Sequence, residues 1–164
     1  MSDKLDITLK VNGEERTLCV PPSRTLLDAL RGELALTGTK NACNQGVCGA
    51  CTVLIDGLPV NACLLLAVNV TGCDITSIEG LGEGGELSVM QRAFVDAGAI
   101  QCGFCMSGMI VSATAFLADN PTPSREEIRS ALSGNLCRCS GYVRVVDAVQ
   151  LAAKRLGQAG GLGT

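Results

Sequence analysis

The first residues of the chain alternate apolar and polar side chains with the period of a β-strand. The odd-numbered residues from 5 to 11 are Leu, Ile, Leu and Val, and their neighbours are mostly polar. Side chains two apart in a strand lie on the same face of a sheet, so this pattern predicts a half-buried strand. Asn12-Gly13 follows and is a strong hairpin signal, and Leu18 and Val20 continue the alternation in a second strand.

The rest of the first half predicts one helix and a second hairpin. Thr25 can cap a helix that carries an apolar face, namely Leu26, Leu27, Leu30 and Leu34. Residues 52–55 and 58–62 flank the turn-forming pair Asp56-Gly57, and residues 75–78 are predicted to form the last strand. Strands, one helix and further strands indicate a small α+β domain.

The pattern changes to a helical period beyond a glycine-rich acidic stretch, residues 78–86, which reads as a linker. Ser88 can cap a helix through Val95, and a mostly apolar helix is expected over residues 103–117. Ser124 and Glu127 form a capping box for residues 125–132, and the last helix is expected over residues 142–156. Four helices after the linker predict a small helical bundle.

Composition and charge narrow the possible functions. The chain has 164 residues, of which 47% are hydrophobic and 2% aromatic, and its formal net charge is −3. It therefore lacks both the basic surface and the aromatic side chains that nucleic-acid binding uses. It also contains no histidine, which excludes a Rieske centre, mixed cysteine–histidine zinc sites and catalysis by a serine–histidine or cysteine–histidine pair.

The N-terminus begins directly on the predicted strand and shows no signal peptide, and the longest apolar runs are too short to span a membrane. We therefore expect a cytoplasmic protein. In that compartment a cysteine-rich chain binds metal more often than it forms disulfides.

Eight of the ten cysteines fall into two sets of four with different spacings. The first set reads C-x4-C-x2-C-x11-C and comprises Cys43, Cys48, Cys51 and Cys63. This is the plant-type ferredoxin spacing for a [2Fe–2S] cluster. Gly46 and Gly49 permit positive φ and close approach of the backbone to the cluster. A four-cysteine zinc site is the alternative, but structural zinc usually uses paired C-x2-C knuckles.

The second set pairs C-x2-C with a distant C-x-C and comprises Cys102, Cys105, Cys137 and Cys139. The first pair lies at the start of one predicted helix and the second pair lies just before another, and the free N–H groups and dipoles of helix N-termini favour an anionic cluster. The alternative for Cys102 and Cys105 is a thioredoxin-like redox pair, although the surrounding βαβ context is missing. Cys19 and Cys73 are left over, and we interpret both as structural, as small buried apolar residues.

The chain resembles the small iron–sulfur subunit of the molybdenum hydroxylases, the group of xanthine dehydrogenase, aldehyde oxidoreductase and carbon monoxide dehydrogenase. The matching segments are GTKNACNQGVCGACTVLIDGLPVNACL, QCGFCMSGMI and NPTPSREEIRSALSGNLCRCSGY. The resemblance implies a plant-ferredoxin-like β-grasp domain and a four-helix bundle, each with one [2Fe–2S] cluster. We expect them over residues 1–80 and 81–157, with a flexible tail over 158–164.

The resemblance also implies roles and partners. The bundle cluster would lie beside the molybdopterin of a large catalytic subunit, with Gln101 and the backbone at Cys139 contacting the pterin. The ferredoxin-like cluster would face a medium FAD-binding subunit or a cytochrome subunit, in a heterotrimer or a dimer of heterotrimers. Ala42 and Met106-Ser107 depart from the usual family residues, glycine and Thr-Pro. No catalytic residue is expected on this chain.

The sequence therefore predicts the electron-transfer subunit of an oxidoreductase, which passes electrons from a molybdopterin centre through two clusters to FAD or another acceptor. The complex would oxidise or hydroxylate a small molecule whose pocket belongs to another chain. The alternative function is a free-standing two-cluster ferredoxin, which would be a stable monomer without partners.

Overall fold

The computed structural model describes residues 4–82 and 84–160. It contains a mixed five-stranded sheet followed by a helical half, so the predicted α+β class is confirmed. The strands are β1 (Leu5–Val11), β2 (Glu14–Val20), β3 (Thr52–Ile55), β4 (Leu58–Asn61) and β5 (Asp74–Thr76). The helices are α1 (Leu26–Asp28), α2 (Val89–Asp96), α3 (Met106–Asp119), α4 (Arg125–Ala131) and α5 (Val143–Gly160).

The sheet has the strand order β2-β1-β5-β3-β4, in which β1 and β5 are parallel and the other neighbours antiparallel. Asn12 and Gly13 form the β1–β2 turn with φ of 53° and 82°, as a hairpin turn with two left-handed residues requires. The alternating apolar residues Leu9, Val11 and Val20 lie in the core beneath the sheet. The predicted strand at 75–78 is shorter and ends at Thr76, because Ile78 begins a 3-10 turn instead.

The first helix differs from the prediction. Thr25 caps it as expected, since its hydroxyl accepts a hydrogen bond from the Asp28 N–H at 3.1 Å. After Asp28, however, the chain continues as a π-helical turn over Ala29–Glu33, closed by the Leu34 N–H donating to the Ala29 carbonyl. The wider turn suits a segment in which Leu26, Leu27, Ala29 and Leu30 are all fully buried, a face too broad for one α-helical stripe.

The helices of the second half share a separate apolar core, which includes Phe94, Met109, Ile128 and Val149. Ser88 and Ser124 both form capping boxes, with Gln91 and Glu127 respectively. Two helix starts are later than predicted for a common reason. Gly103 has φ +83° and Tyr142 has φ +66°, and a left-handed residue cannot belong to a right-handed helix. Thus α3 begins at Met106 and α5 at Val143.

The predicted linker is partly structured, because Ile78–Leu81 form a 3-10 turn whose apolar side chains pack against the helical core. The halves also meet directly, where Leu54 of β3 packs against Val111 and Ala115 of α3. α5 extends past the predicted end to Gly160, and the remainder of the predicted tail, residues 161–164, lies outside the described residues. Among the described helices, none is long and apolar enough to cross a membrane.

Candidate metal centres

The loop that carries the first three cysteines curls around the thiol of Cys43. Asn44, Gly46 and Gly49 have φ of 55°, 70° and 69°, so the positive φ expected at both glycines is confirmed. The Gln45 N–H donates to Cys43 Sγ at 3.4 Å. Hydrogen bonds from the backbone N–H groups of Gln45, Cys48 and Val47 lower the pKa of the Cys43 thiol to about 6. The loop is thus arranged to stabilise a thiolate.

The fourth thiol of this set reaches the loop through the β3–β4 hairpin. Cys63 lies in a short 3-10 turn after β4, and the Ala62 N–H donates to the Cys51 carbonyl at 3.2 Å. The thiols of Cys51 and Cys63 are buried and within hydrogen-bonding reach of each other. Burial raises the pKa of the Cys51 thiol to about 11, and metal binding would displace its proton, because the thiolate is the ligand.

The second set divides into an exposed pair and an inner pair. Cys102 and Cys139 are exposed, with their sulfur atoms 3.8 Å apart, and hydrogen bonding to Cys102 raises the pKa of Cys139. Cys105 is buried at the N-terminus of α3, and Cys137 is half-buried beside it. Burial, together with the thiol of Cys137, raises the pKa of Cys105 to about 12.

The thiol of Cys137 accepts hydrogen bonds from the turn that follows it. Cys137 Sγ accepts hydrogen bonds from the N–H groups of Cys139 at 3.4 Å and Ser140 at 3.2 Å. Burial would raise its pKa, but the hydroxyl and N–H of Ser140 and the N–H of Cys139 outweigh burial and lower the pKa to about 7. The C-x-C turn therefore repeats the chemistry of the first loop.

Two residues that sequence reasoning missed hold the second loop in place. Tyr142, the only tyrosine of the chain, accepts a hydrogen bond from the Cys137 N–H at 2.7 Å and donates to the Asn135 carbonyl at 3.3 Å. Asn135 is 5% exposed, and its Nδ2 donates to the Gly49 carbonyl of the first loop at 3.1 Å. The one signal available in the sequence was an isolated tyrosine next to a cysteine pair in a chain nearly free of aromatic residues.

The two cysteine loops touch each other through backbone atoms. The Leu136 N–H donates to the Cys48 carbonyl at 2.9 Å. Gly108 of α3 lies so close to the first loop that a Cβ at this position would be 2.0 Å from the Gly49 carbonyl oxygen. The two candidate metal sites therefore lie next to each other in the folded chain.

The thiols of the two cysteine sets lie in close pairs. Within residues 4–82 and 84–158, no three His, Cys, Asp or Glu side chains gather into a site for a single ion. The close pairs are Cys43 with Cys48, Cys51 with Cys63, Cys102 with Cys139, and Cys105 with Cys137. A [2Fe–2S] cluster takes two thiolates on each of its two irons, so the donor set present fits two such clusters.

The remaining predicted residues have the following places. Gln101 is exposed and directly precedes the exposed Cys102, while Met106 is buried in the helical core. Ala42 does not have a positive φ, a conformation that would be unfavourable for a residue with a Cβ. The interpretation of Cys19 as a buried structural residue is wrong, because β2 turns its thiol away from the core and leaves it exposed. Cys73 is half-buried beside β5.

Comparison with known proteins agrees with this geometry. Residues 9–67 match the family described as "2Fe-2S iron-sulfur cluster binding domain", and residues 77–150 match "[2Fe-2S] binding domain". The fold and the two family matches thus define a two-cluster iron–sulfur protein. They disfavour a zinc site in the first cysteine set and a thioredoxin-like redox pair in the second.

The relatives narrow this class. The chain is 46% identical to the nicotinate dehydrogenase small FeS subunit of Eubacterium barkeri, covering 93% of this chain and 98% of that protein. It is 48% identical to the nicotine 6-hydroxylase small subunit of Paenarthrobacter nicotinovorans, covering 98% and 96%. Quinoline 2-oxidoreductase from Pseudomonas putida 86 has a chain that superposes with TM-score 0.92 at 47% identity, covering 96% and 98%. The chain therefore belongs to the family of small [2Fe–2S] iron–sulfur subunits of the molybdenum hydroxylases.

Proposed function

We propose that this chain carries electrons from the molybdopterin centre of a large catalytic subunit, through two [2Fe–2S] clusters, to the FAD of a medium subunit or to another acceptor. The observation that carries the proposal is the pairwise convergence of eight thiols into two adjoining sites. A bound [2Fe–2S] cluster accepts and releases single electrons. The alternative of a free-standing ferredoxin is not favoured, because the proteins that match this chain are the small subunits of nicotinate dehydrogenase and nicotine 6-hydroxylase.

The proposed ligands of the ferredoxin-like cluster are Cys43, Cys48, Cys51 and Cys63, and those of the bundle cluster are Cys102, Cys105, Cys137 and Cys139. We expect the two ligands of each thiol pair to share an iron. In the first site, Cys43 and Cys48 form a half-buried pair, and Cys51 and Cys63 form a buried pair. In the second site, Cys102 and Cys139 form the outer pair, and Cys105 and Cys137 form the inner one. The backbone N–H groups around Cys43 and Cys137 would stabilise the cluster charge and so raise the reduction potentials.

The difference in exposure suggests the direction of transfer. Gln101 and the outer pair, Cys102 and Cys139, lie at the surface, where a pterin of the large subunit could contact Gln101 and the backbone at Cys139. The segment that precedes the inner pair contacts the first loop, because the N–H of Leu136, next to Cys137, donates to the Cys48 carbonyl. Electrons entering at the outer pair would therefore move inward to the ferredoxin-like site and leave towards the flavin subunit.

We also propose the finer organisation. Residues 1–80 would form the β-grasp domain and residues 81–157 a four-helix bundle, a division supported by the two separate apolar cores. The complex would be a heterotrimer or a dimer of heterotrimers. We also propose a cytoplasmic location, because a reducing compartment keeps cysteines available for cluster binding.

Ligand variants of the assembled complex test the assignment, with electron paramagnetic resonance (EPR) of both clusters as the readout. Cys48→Ser should remove or alter the signal of the ferredoxin-like cluster and leave the bundle cluster reducible by substrate. Cys139→Ser should disturb the bundle cluster instead. Cys19→Ser is the matched control, because Cys19 is exposed on β2 and outside both sets. A ligand variant that left both signals unchanged would show that the cysteines are wrongly partitioned.

A further inference from the structure

The segment around the second C-x-C pair differs in charge from the chain as a whole. Residues 128–146 contain three arginines, Arg129, Arg138 and Arg144, and no aspartate or glutamate, whereas the whole chain has a formal net charge of −3. All three arginine side chains are exposed. Within the part of the chain that the structure describes, none of the three forms an ion pair. The segment therefore presents a local positive charge on an acidic protein.

The carboxylates that border this segment are already engaged elsewhere. Glu127 accepts hydrogen bonds from the N–H and the hydroxyl of Ser124 at 2.7 and 2.6 Å. Asp147 pairs with Arg125 at 2.7 Å. Anions that balance the three arginines are therefore expected from a partner molecule.

A cavity of about 290 Å³ opens between α4 and the start of α5 beside one of these arginines. Its wall is mostly apolar, and its lining residues are Arg129, Leu132, Ser133, Tyr142, Val145 and Val146. Pockets for small molecules usually have a volume of about 300–1,000 Å³, so this space suits a protruding apolar side chain better than a whole cofactor. Arg129 contributes both to the cavity and to the exposed surface around it.

Tyr142 connects this cavity to the bundle site. The residue lines the cavity, and its hydroxyl accepts a hydrogen bond from the Cys137 N–H at 2.7 Å. Arg138 directly follows Cys137, and Arg144 comes two residues after Tyr142. The three arginines and the cavity, which we call the arginine face, therefore adjoin the C-x-C turn.

We propose that the arginine face docks an acidic segment of the large molybdopterin-binding subunit, whose carboxylates pair with the arginines and whose apolar side chain fills the cavity. The inference rests on the proposed function and adds the contact that holds the two subunits together at this place. Arginines are frequent binding hot spots in interfaces, and an ion pair shielded from water is stronger than an exposed one. Docking at this face would fix the outer thiols relative to the pterin.

The position of the arginine face decides between the available partners. Arg138 lies between Cys137 and Cys139 in the sequence, so a subunit that covers the exposed thiol of Cys139 also covers Arg138. Leu136 and Val143, with exposed fractions of 50% and 59%, add apolar surface on either side of this turn. A second copy of this chain seated here would separate the outer thiols from the pterin, and the flavin subunit is expected at the ferredoxin-like site.

The first test identifies what contacts Arg129 in the purified complex. Arg129→Lys keeps the positive charge and introduces an amine, which a carbodiimide joins to a carboxylate in ion-pair contact. Mass spectrometry of the crosslinked peptides should show a bond from position 129 to an acidic residue of the large subunit. The wild-type complex is the control, because it has no amine at that position. A crosslink to the medium subunit or to a second copy of this chain overturns the proposal, as does the absence of any crosslink from this position.

The second test measures how tightly the cluster-loaded chain binds the large subunit, by light scattering on dilution at several salt concentrations. Arg129→Glu and Arg144→Glu should each weaken association about tenfold or more and reduce its salt dependence. Ser133→Trp, which places a bulky side chain at the cavity, should weaken association without a change of charge. Lys154→Glu is the matched control, because it makes the same change of charge at an exposed position of α5, about 15 Å along the helix from Arg144.

EPR of both clusters accompanies each variant, so that loss of the fold is distinguished from loss of docking. Weakened association with both signals at full occupancy supports the arginine face. Wild-type affinity in Arg129→Glu or in Ser133→Trp overturns it, and so does an equal loss of affinity in Lys154→Glu. If Arg129→Glu does not fold, the crosslink and Arg144→Glu decide. A wild-type complex that lacks two [2Fe–2S] signals would instead overturn the proposed function itself.

Discussion

Gly108→Ala should destabilise the protein, although alanine normally stabilises a helix relative to glycine. Gly108 lies in the first turns of α3, where the helix rests on the first cysteine loop. A Cβ at this position would be 2.0 Å from the Gly49 carbonyl oxygen and 3.2 Å from the Ala50 Cα. Both contacts are with backbone, which cannot swing away as a flexible side chain would. Either α3 or the loop must therefore move.

The expected magnitude follows from two opposing effects. Replacing glycine by alanine inside a helix is favourable by about 1 kcal/mol. Overpacking a well-filled site typically costs about 1–3 kcal/mol, and a backbone contact this short belongs at the upper end. The net loss should be about 2 kcal/mol, which for a chain of this size lowers the melting temperature by about 4–8 °C.

Thermal loss of cluster absorbance, recorded at one scan rate for all variants, measures this effect in the holo-protein. Gly157→Ala is the matched control, because it is the same substitution in helix α5 at a position with nothing within 4 Å of the added Cβ. The control should be neutral or slightly stabilising. If Gly108→Ala also proved neutral or stabilising, the inferred close approach of α3 and the first loop would be refuted.

Three further predictions concern the helical half. Phe94→Ala should lower the free energy of unfolding by about 3–5 kcal/mol in denaturant titrations, because Phe94 is fully buried in the helical core, whereas the half-exposed Phe104 should be far more tolerant. The hydroxyl and N–H of Ser124 hold the pKa of Glu127 below its usual value, so this carboxylate stabilises the fold above about pH 4.3 and loses its contribution as the pH falls through the lowered pKa. The stability difference between wild type and Glu127→Gln should accordingly shrink in acid, and a constant difference would contradict the cap. Tyr142→Phe should leave the Cys137 N–H without its acceptor, cost about 1–3 kcal/mol and shift the EPR signal of the bundle cluster alone.

Features that depend on a few neighbouring residues were predictable from the sequence. The Asn12-Gly13 turn and the capping boxes at Ser88 and Ser124 are examples, because each is made by groups within a few residues of one another. The first helix shows the limit of such reasoning. Its apolar pattern indicated an α-helix, but the structure has a π-helical turn at Ala29–Glu33. This turn depends on the surrounding core, which buries several adjacent side chains of the segment.

The starts of α3 and α5 were misplaced for a similar reason. The left-handed conformation of Tyr142 is unfavourable for a tyrosine by itself. It is compatible with the two hydrogen bonds that the hydroxyl makes to the preceding segment. The isolated tyrosine beside a cysteine pair is visible in the sequence, but it does not by itself predict these two bonds.

The number, type and spacing of the cysteines are determined by the sequence alone, and they suffice to predict two [2Fe–2S] sites of different design. Only the tertiary structure decided that the thiols meet in pairs and that Cys105 and Cys137 form the inner pair. It alone also placed the carbonyls of Cys48 and Gly49 against Leu136 and Asn135. These contacts join residues far apart in the chain, so they depend on the packing of α3 against the sheet domain, which no local pattern encodes.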